Sequence, residues 1–117
     1  MSQPKILNLL EMGLRASMLR QSVIANNLAN LETPNFHRSE VKFENMLAKA
    51  IRSGDTDLNK IQPEIVQPDD TPVAPNGNDV DMDMEIGDLI ENSSRYKLYV
   101  RLMEKTYRQM ESAIKDQ

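Results

Sequence analysis

Apolar residues recur at alternating steps of three and four at both ends of this chain, and that spacing constrains the fold more than any other feature. At the N-terminal end the series is Leu7, Leu10, Leu14, Ser17, Gln21, Ile24, Leu28 and Leu31. At the C-terminal end it is Ile86, Leu89, Ser93, Tyr96, Val100, Met103, Tyr107, Met110 and Ile114. Such steps keep side chains on one face of an α-helix, and a sustained heptad repeat marks helices packed along each other. Between Lys5 and Leu31 there is no proline and one glycine, Gly13. Thr33-Pro34 closes this stretch, because the residue before proline is pushed out of the α region. After Gly87 the C-terminal series has neither Pro nor Gly.

An N-terminal helix of this span is about 40 Å long, and its C-terminal counterpart is slightly longer. The expected fold is all-α, with the two long helices paired as an antiparallel, coiled-coil-like hairpin. Residues 1–33 form the N-terminal helical part and 81–117 the C-terminal one. Residues 34–80 hold a turn, a short third helix at about 43–52 closed by Gly54, and an irregular Pro- and Asp-rich loop. Within that loop a short strand is expected near Glu64–Gln67. Asp79 or Asp81 is the candidate N-cap of the last helix, and the neighbouring carboxylates suit its positive end.

A second stripe runs along the first helix: Leu9, Met12, Ala16, Leu19 and Val23. It is offset by two residues, roughly 200° around the axis. A hairpin covers one side of a helix. The expectation is therefore that Leu7, Leu10, Leu14, Ile24, Leu28 and Leu31 pack on the C-terminal helix of the same chain. Their expected partners there are Ile86, Leu89, Tyr96, Val100, Met103, Tyr107, Met110 and Ile114. The second stripe is expected to pack between subunits. Leaving it wet would forfeit several kcal/mol at about 25 cal/mol per Å², comparable to the stability of a small domain.

Chemistry is thinly represented. Cysteine is absent and the net charge is −4, so disulfides and thiol catalysis are excluded and nucleic acid is a poor partner. No apolar run is long enough to span a membrane, and no cleavable secretory signal is expected at the N-terminus. The single histidine, His37, reads as an exposed loop residue. Asp79, Asp81, Asp83 and Glu85 superficially suggest a calcium loop, but Met84 and Ile90 stand where an EF-hand needs Gly and Glu. No catalytic, cofactor-binding or metal site can be drawn, so the chain reads as a non-enzyme. The basic residues of the last helix alternate with acidic ones, which suits a solvated or interfacial face rather than a basic groove.

Three asparagines, Asn26, Asn27 and Asn30, crowd the end of the first helix although Asn is a poor helix former. Two accounts stand side by side. The amides sit in a seam and fix its register, or they mark a fraying end.

The segment containing Ala25, Asn26, Asn27, Leu28, Ala29 and Asn30, followed by Thr33-Pro34-Asn35-Phe36, resembles the N-terminal signature of the bacterial flagellar axial proteins of rod and hook. There the turn usually reads Thr-Pro-Gly-Tyr. Gly77-Asn78-Asp79-Val80-Asp81-Met82-Asp83 is similar to the family's entry to its C-terminal helix, carried by Asn78, Val80 and Asp81. The short middle looks most like a proximal-rod member.

The resemblance implies a structural subunit that assembles helically through its terminal helices into a hollow periplasmic rod. That rod serves as drive shaft and export channel for motility. It implies export through the flagellar type III apparatus without signal cleavage. The implied partners are further copies of the chain, the sibling FlgC, the adaptor FliE and export-gate proteins; no cofactor, nucleic acid or small-molecule substrate is implied. It also favours the register account of the asparagines. The alternatives are that the chain is itself FlgC, or a helical adaptor or secretion chaperone.

Overall fold

A computed structural model describes residues 5–54 and 61–115. The expected ends of the chain (1–4 and 116–117) and the start of the middle loop (55–60) lie outside the described residues. The elements run α1 (Lys5–Ala29), β1 (Glu40–Lys42), α2 (Glu44–Arg52), β2 (Glu64–Val66) and α3 (Met82–Lys115). The fold is helical, with α1 and α3 packed on one another. Their direction follows from the contacts between them. Asn27 meets Glu85, Ser17 meets Asn92 and Gly13 meets Tyr99, so one helix climbs as the other descends. Extending that register brings Lys5 level with the turn before Tyr107. About two turns of α3 therefore run past the described start of α1.

Helix α1 stops at Ala29, earlier than Thr33-Pro34 alone requires. The Asn30 N–H is shared between the carbonyls of Asn26 and Asn27, at 3.2 and 3.1 Å. Leu31 N–H then reaches Leu28 O, and Thr33 N–H reaches Asn30 O. These tighter bonds close the helix while the Asn30 amide takes the Asn26 carbonyl at 2.8 Å, a competition typical of Asn. Asn35 then adopts φ 61° and Gly77 φ 86°. The two turns touch: Asn35 N–H donates to Asn76 O at 2.9 Å. A Cβ on Gly77 would meet Asn35 Oδ1, so this position requires glycine twice over.

β1 and β2 pair antiparallel, with Val41 opposite Ile65. β2 lies where a strand is expected; its partner β1 carries too short a pattern to be read from sequence. Phe43, buried at the start of α2, and Val41 anchor this ribbon.

The α3 seam sits one residue before the heptad reading, and the α1 seam keeps Leu7, Leu10, Ser17 and Ile24 of that reading but departs from it elsewhere. On α1 the buried residues are Leu7, Leu10, Gly13, Ala16, Ser17, Val23, Ile24 and Asn27. Position 13 is used rather than 14, and 27 rather than 28; Leu14, Leu28 and Leu31 are only half-buried and Gln21 is exposed. On α3 the buried residues are Glu85 and Asn92, each one place before the expected Ile86 and Ser93. Ile86, Tyr96, Tyr107 and Ile114 are exposed, whereas Leu89, Val100, Met103 and Met110 are half-buried. The reason is that the seam residues are small or polar. Gly13 lets the Tyr99 ring lie against the α1 backbone, where an added Cβ would collide with Tyr99 Cε1. A rotation of one residue, about 100°, costs little apolar contact when hydrogen bonds set the phase.

Candidate functional site

The end of α1, the turn after it and the entry to α3 meet in a buried polar joint. Asn27 is fully buried. Its Nδ2 donates to Ser39 O at 2.8 Å and to Glu85 Oε2 at 3.1 Å, and its Oδ1 accepts the Ser39 N–H at 3.0 Å. One amide thus ties α1 to both the turn strand and α3. Arg38 lies beneath it, 1% exposed. Its Nε donates to Glu85 Oε1 at 2.6 Å, and Glu40 accepts from Nη1 at 3.3 Å. Asp70 and Asp88 flank the guanidinium at 3.6 and 3.8 Å. Burial pulls the Arg38 pKa down, but the hydrogen bond and charge of Glu85, aided by Glu40, outweigh it and hold it above the ordinary value. Asp88 is pushed up by partial burial and by the nearby Glu85 carboxylate, against the opposing pull of Arg38.

The loop before α3 is stitched to the same place. Asn78 Nδ2 donates to the carbonyls of Asn30 and Thr33, both at 2.8 Å, and its Oδ1 accepts the Val80 N–H. These bonds give a second donor to the Asn30 carbonyl, which also accepts the Thr33 N–H, and to the Thr33 carbonyl, which also accepts the Phe36 N–H. Asp79 is buried, and its Oδ1 accepts the Arg38 N–H at 2.6 Å. Asp81 is the N-cap of α3, accepting the Met84 N–H at 3.1 Å. Of the four carboxylates read as helix-end charges, Asp79 and Glu85 belong instead to the joint.

The asparagines divide accordingly. Asn27 links three elements, whereas Asn26 is exposed and Asn30 makes local bonds to Asn26 and Thr33. Ala25, Ala29, Thr33 and Pro34 are exposed, and Leu28, Phe36 and Val80 half-buried.

His37 is exposed but not isolated: its Nδ1 lies 3.3 Å from Asp79 Oδ2 and 3.9 Å from Asp69 Oδ1. These three residues bring donor atoms within 4.8 Å of one another. A cation would have to replace the His37–Asp79 contact to sit there. A second polar cluster braces the middle of the hairpin. Arg20 holds Glu44 through both oxygens, at 3.1 and 2.7 Å, and also donates to Val41 O. Burial raises the Glu44 pKa; the Arg20 hydrogen bond, its own N–H and the charges of Arg20 and Arg95 more than reverse this, leaving it below the usual carboxylate range. Glu44, Arg38 and Asn92 line a crevice of about 260 Å³ between α1, α3 and the ribbon.

The five residues of the second stripe do not share one environment. Ala16 and Val23 are 0% and 8% exposed, covered by the chain itself, so they are not free for a neighbouring subunit. Leu9, Met12 and Leu19 are half-buried. The apolar side chains of α1 that stand out are Ile6 and Met18. On α3, Ile90, Leu98, Leu102 and Ile114 do so. Arg38, Glu85, Asn92, Gly13 and Tyr99 escaped a reading that ranked apolar residues. The only trace of them is the displaced phase of the small residues Gly13, Ala16 and Ser17.

Residues 7–37, which include all but the first two residues of α1 and its closing turn, match the Flagella basal body rod protein family. Similarity to whole proteins extends through most of the chain. It is 33% identical over 118 residues to flagellar basal body rod protein FlgB of Bacillus subtilis, covering 90% of this chain and 89% of that protein. The chain belongs to the FlgB family of flagellar basal body rod proteins. FlgB of Borreliella burgdorferi is 34% identical and that of Borrelia hermsii 36%, each covering 83% of this chain and 86% of the relative. As an FlgB-family member it is a structural protein of the flagellar rod. Among its described residues no helix is long and apolar enough to cross a membrane.

Proposed function

We propose that this chain is a non-enzymatic subunit of the proximal rod that assembles helically through α1 and α3, forming part of a hollow shaft and export channel. Residues 1–33 and 81–117 are the assembling parts, and residues 34–80 the brace between them. The single observation that carries this reading is the apolar surface the hairpin leaves uncovered along both long helices. Ile6 is 51% exposed, Met18 57%, Ile90 65%, Leu98 55% and Ile114 60%. A 117-residue chain that leaves such side chains wet on its longest elements is completed by neighbours. Leu9, Met12 and Leu19 join that outer surface. The neighbours on this reading are further copies, FlgC, the adaptor FliE and export-gate proteins, and the chain reaches the periplasm through the flagellar export apparatus without losing a signal peptide.

The test is location and copy number. A tagged chain replacing the native one should appear in several copies in purified basal bodies, with its N-terminus intact, and swimming should be retained. Recovery instead as a discrete cytoplasmic complex, with none in basal bodies, would make it a secretion chaperone and end this reading.

A further inference from the structure

Three donor atoms converge beside the joint from segments that lie far apart in sequence. His37 comes from the turn after α1, Asp69 from the loop after β2 and Asp79 from the entry to α3. His37 Nδ1 stands 3.3 Å from Asp79 Oδ2 and 3.9 Å from Asp69 Oδ1. All three donor atoms lie within 4.8 Å of one another.

Asp79 is the fixed member. Its side chain is 1% exposed, and the Arg38 N–H takes its Oδ1, which leaves Oδ2 for the imidazole. The Asp79 N–H donates to Phe36 O at 3.2 Å, and its carbonyl accepts the Thr71 hydroxyl at 2.6 Å. Its backbone is thereby pinned both to the residue before His37 and to the loop that carries Asp69. Metal ligands are typically aimed by outer hydrogen bonds of this kind. Asp79 is not needed as a helix cap, because Asp81 fills that place.

Among the described residues the imidazole is the one partner of Asp79 Oδ2, and it is shared with Asp69. A neutral ring gives Nδ1–H to one carboxylate at most, and a protonated ring sets one positive charge against two negative ones. Arg38, the next residue, is engaged by Glu85 and Glu40. The cluster therefore holds more carboxylate charge than its own histidine can balance.

Distance and donor type select the ligand. In a tetrahedral zinc site with bonds of about 2.1 Å, ligand atoms stand about 3.4 Å apart. The His37–Asp79 separation already matches. Asp69 has to close in, and its side chain, 71% exposed, has room to do so. Calcium and magnesium call for six or more oxygens. A nitrogen donor with two carboxylates suits zinc and its first-row neighbours.

We propose that His37 Nδ1, Asp69 and Asp79 Oδ2 hold a divalent transition-metal cation of the zinc class, with the ring proton on Nε2 and water completing the coordination. The cation replaces the His37–Asp79 hydrogen bond, and the two carboxylates balance its charge. It clamps the turn after α1 to the loop after β2 and to the entry of α3. The clamp lies outside the seam of the two long helices and stands apart from the rod reading.

The tag-free, full-length chain titrated with zinc chloride in a calorimeter should take up one ion per chain. Cobalt(II) should give the visible absorption of a tetrahedral centre, displaced by zinc. His37→Ala and Asp69→Asn alter exposed side chains, so far-UV circular dichroism should be unchanged. Zinc binding should nevertheless weaken by at least the roughly 10–100-fold that losing an outer hydrogen bond costs a metal site. Asp83→Asn, at an exposed acid of the same region, should bind as the unaltered chain does. Zinc should raise the urea midpoint of the unaltered chain and of neither ligand variant. Absence of saturable one-to-one uptake would overturn the site. So would uptake that survives both ligand substitutions, or that magnesium matches at the same concentration, which marks diffuse attraction to an acidic surface.

Discussion

Replacing Asn27 with alanine tests the joint most directly. The substitution removes the amide that binds Ser39 N–H, Ser39 O and Glu85 Oε2. Three polar groups then lack a partner next to fully buried Arg38 and Glu85. Leaving a buried donor or acceptor unmade costs about 1–3 kcal/mol. Ser39 is half-buried, so water relieves part of its loss. Alanine returns roughly 0.5 kcal/mol of helix propensity. The net expectation is a destabilisation of about 2–4 kcal/mol, a large share of what holds a small domain together. Asn26→Ala is the matched control: Asn26 is exposed, one position away, and its side chain makes only a local contact to Asn30 at 3.3 Å, so the change should fall within about 0.5 kcal/mol. Urea unfolding followed by far-UV circular dichroism measures both. Asn27→Asp adds a diagnostic. It keeps the acceptor for Ser39 N–H but sets a carboxylate against Glu85, so its penalty should be greater at pH 7 than at acid pH. If Asn27→Ala unfolds at the same urea concentration as Asn26→Ala, the joint does not fix the hairpin.

Two further outcomes follow from the seam and the brace. Gly13→Ala should lower the thermal midpoint despite alanine's propensity advantage of about 1 kcal/mol, because the new methyl collides with the Tyr99 ring and overpacking typically costs about 1–3 kcal/mol; shortening Tyr99 to Leu in the same chain should recover most of the loss. The Glu44 carboxyl is held below its ordinary range by Arg20 and Arg95, so its contribution is present above the unfolded-state carboxylate pKa and disappears as pH falls through the lower folded-state value. Glu44→Gln should therefore flatten the acid limb of a stability–pH curve. Asp88→Asn should act in the opposite sense, since the raised Asp88 pKa favours the folded state at low pH and is a penalty at neutral pH.

The hairpin, its direction and the extent of α3 were legible because long helices repeat their pattern many times. Leu7, Leu10 and Ile24 stand in the seam, as their spacing requires. The phase was not legible. A hydrophobic scan gives weight to Leu14 and Ile86, and passes over Gly13, Glu85 and Asn92, which occupy the interface because their bonds or their smallness fit it; Asn27 stands out in the sequence only as one of three asparagines offered for the register role, and it alone links three elements. The spacing places Ala16 and Val23 outward for the same reason: once the seam turns by one residue, they turn inward with it. Arg38 carried no sequence signal. A lone arginine in a turn reads as solvent-exposed until three acidic partners from separate segments, Glu40, Asp70 and Glu85, are placed around it.

The polar character of the joint has a mechanical consequence. A greasy seam can slip by a heptad and find equivalent contacts, so its resistance to twisting rises gently. Sliding α3 by one turn here would strand a guanidinium and two carboxylates in a place water reaches poorly. The two long helices therefore meet a hard stop, like a key in its slot, and a load applied to one is passed to the other without creep.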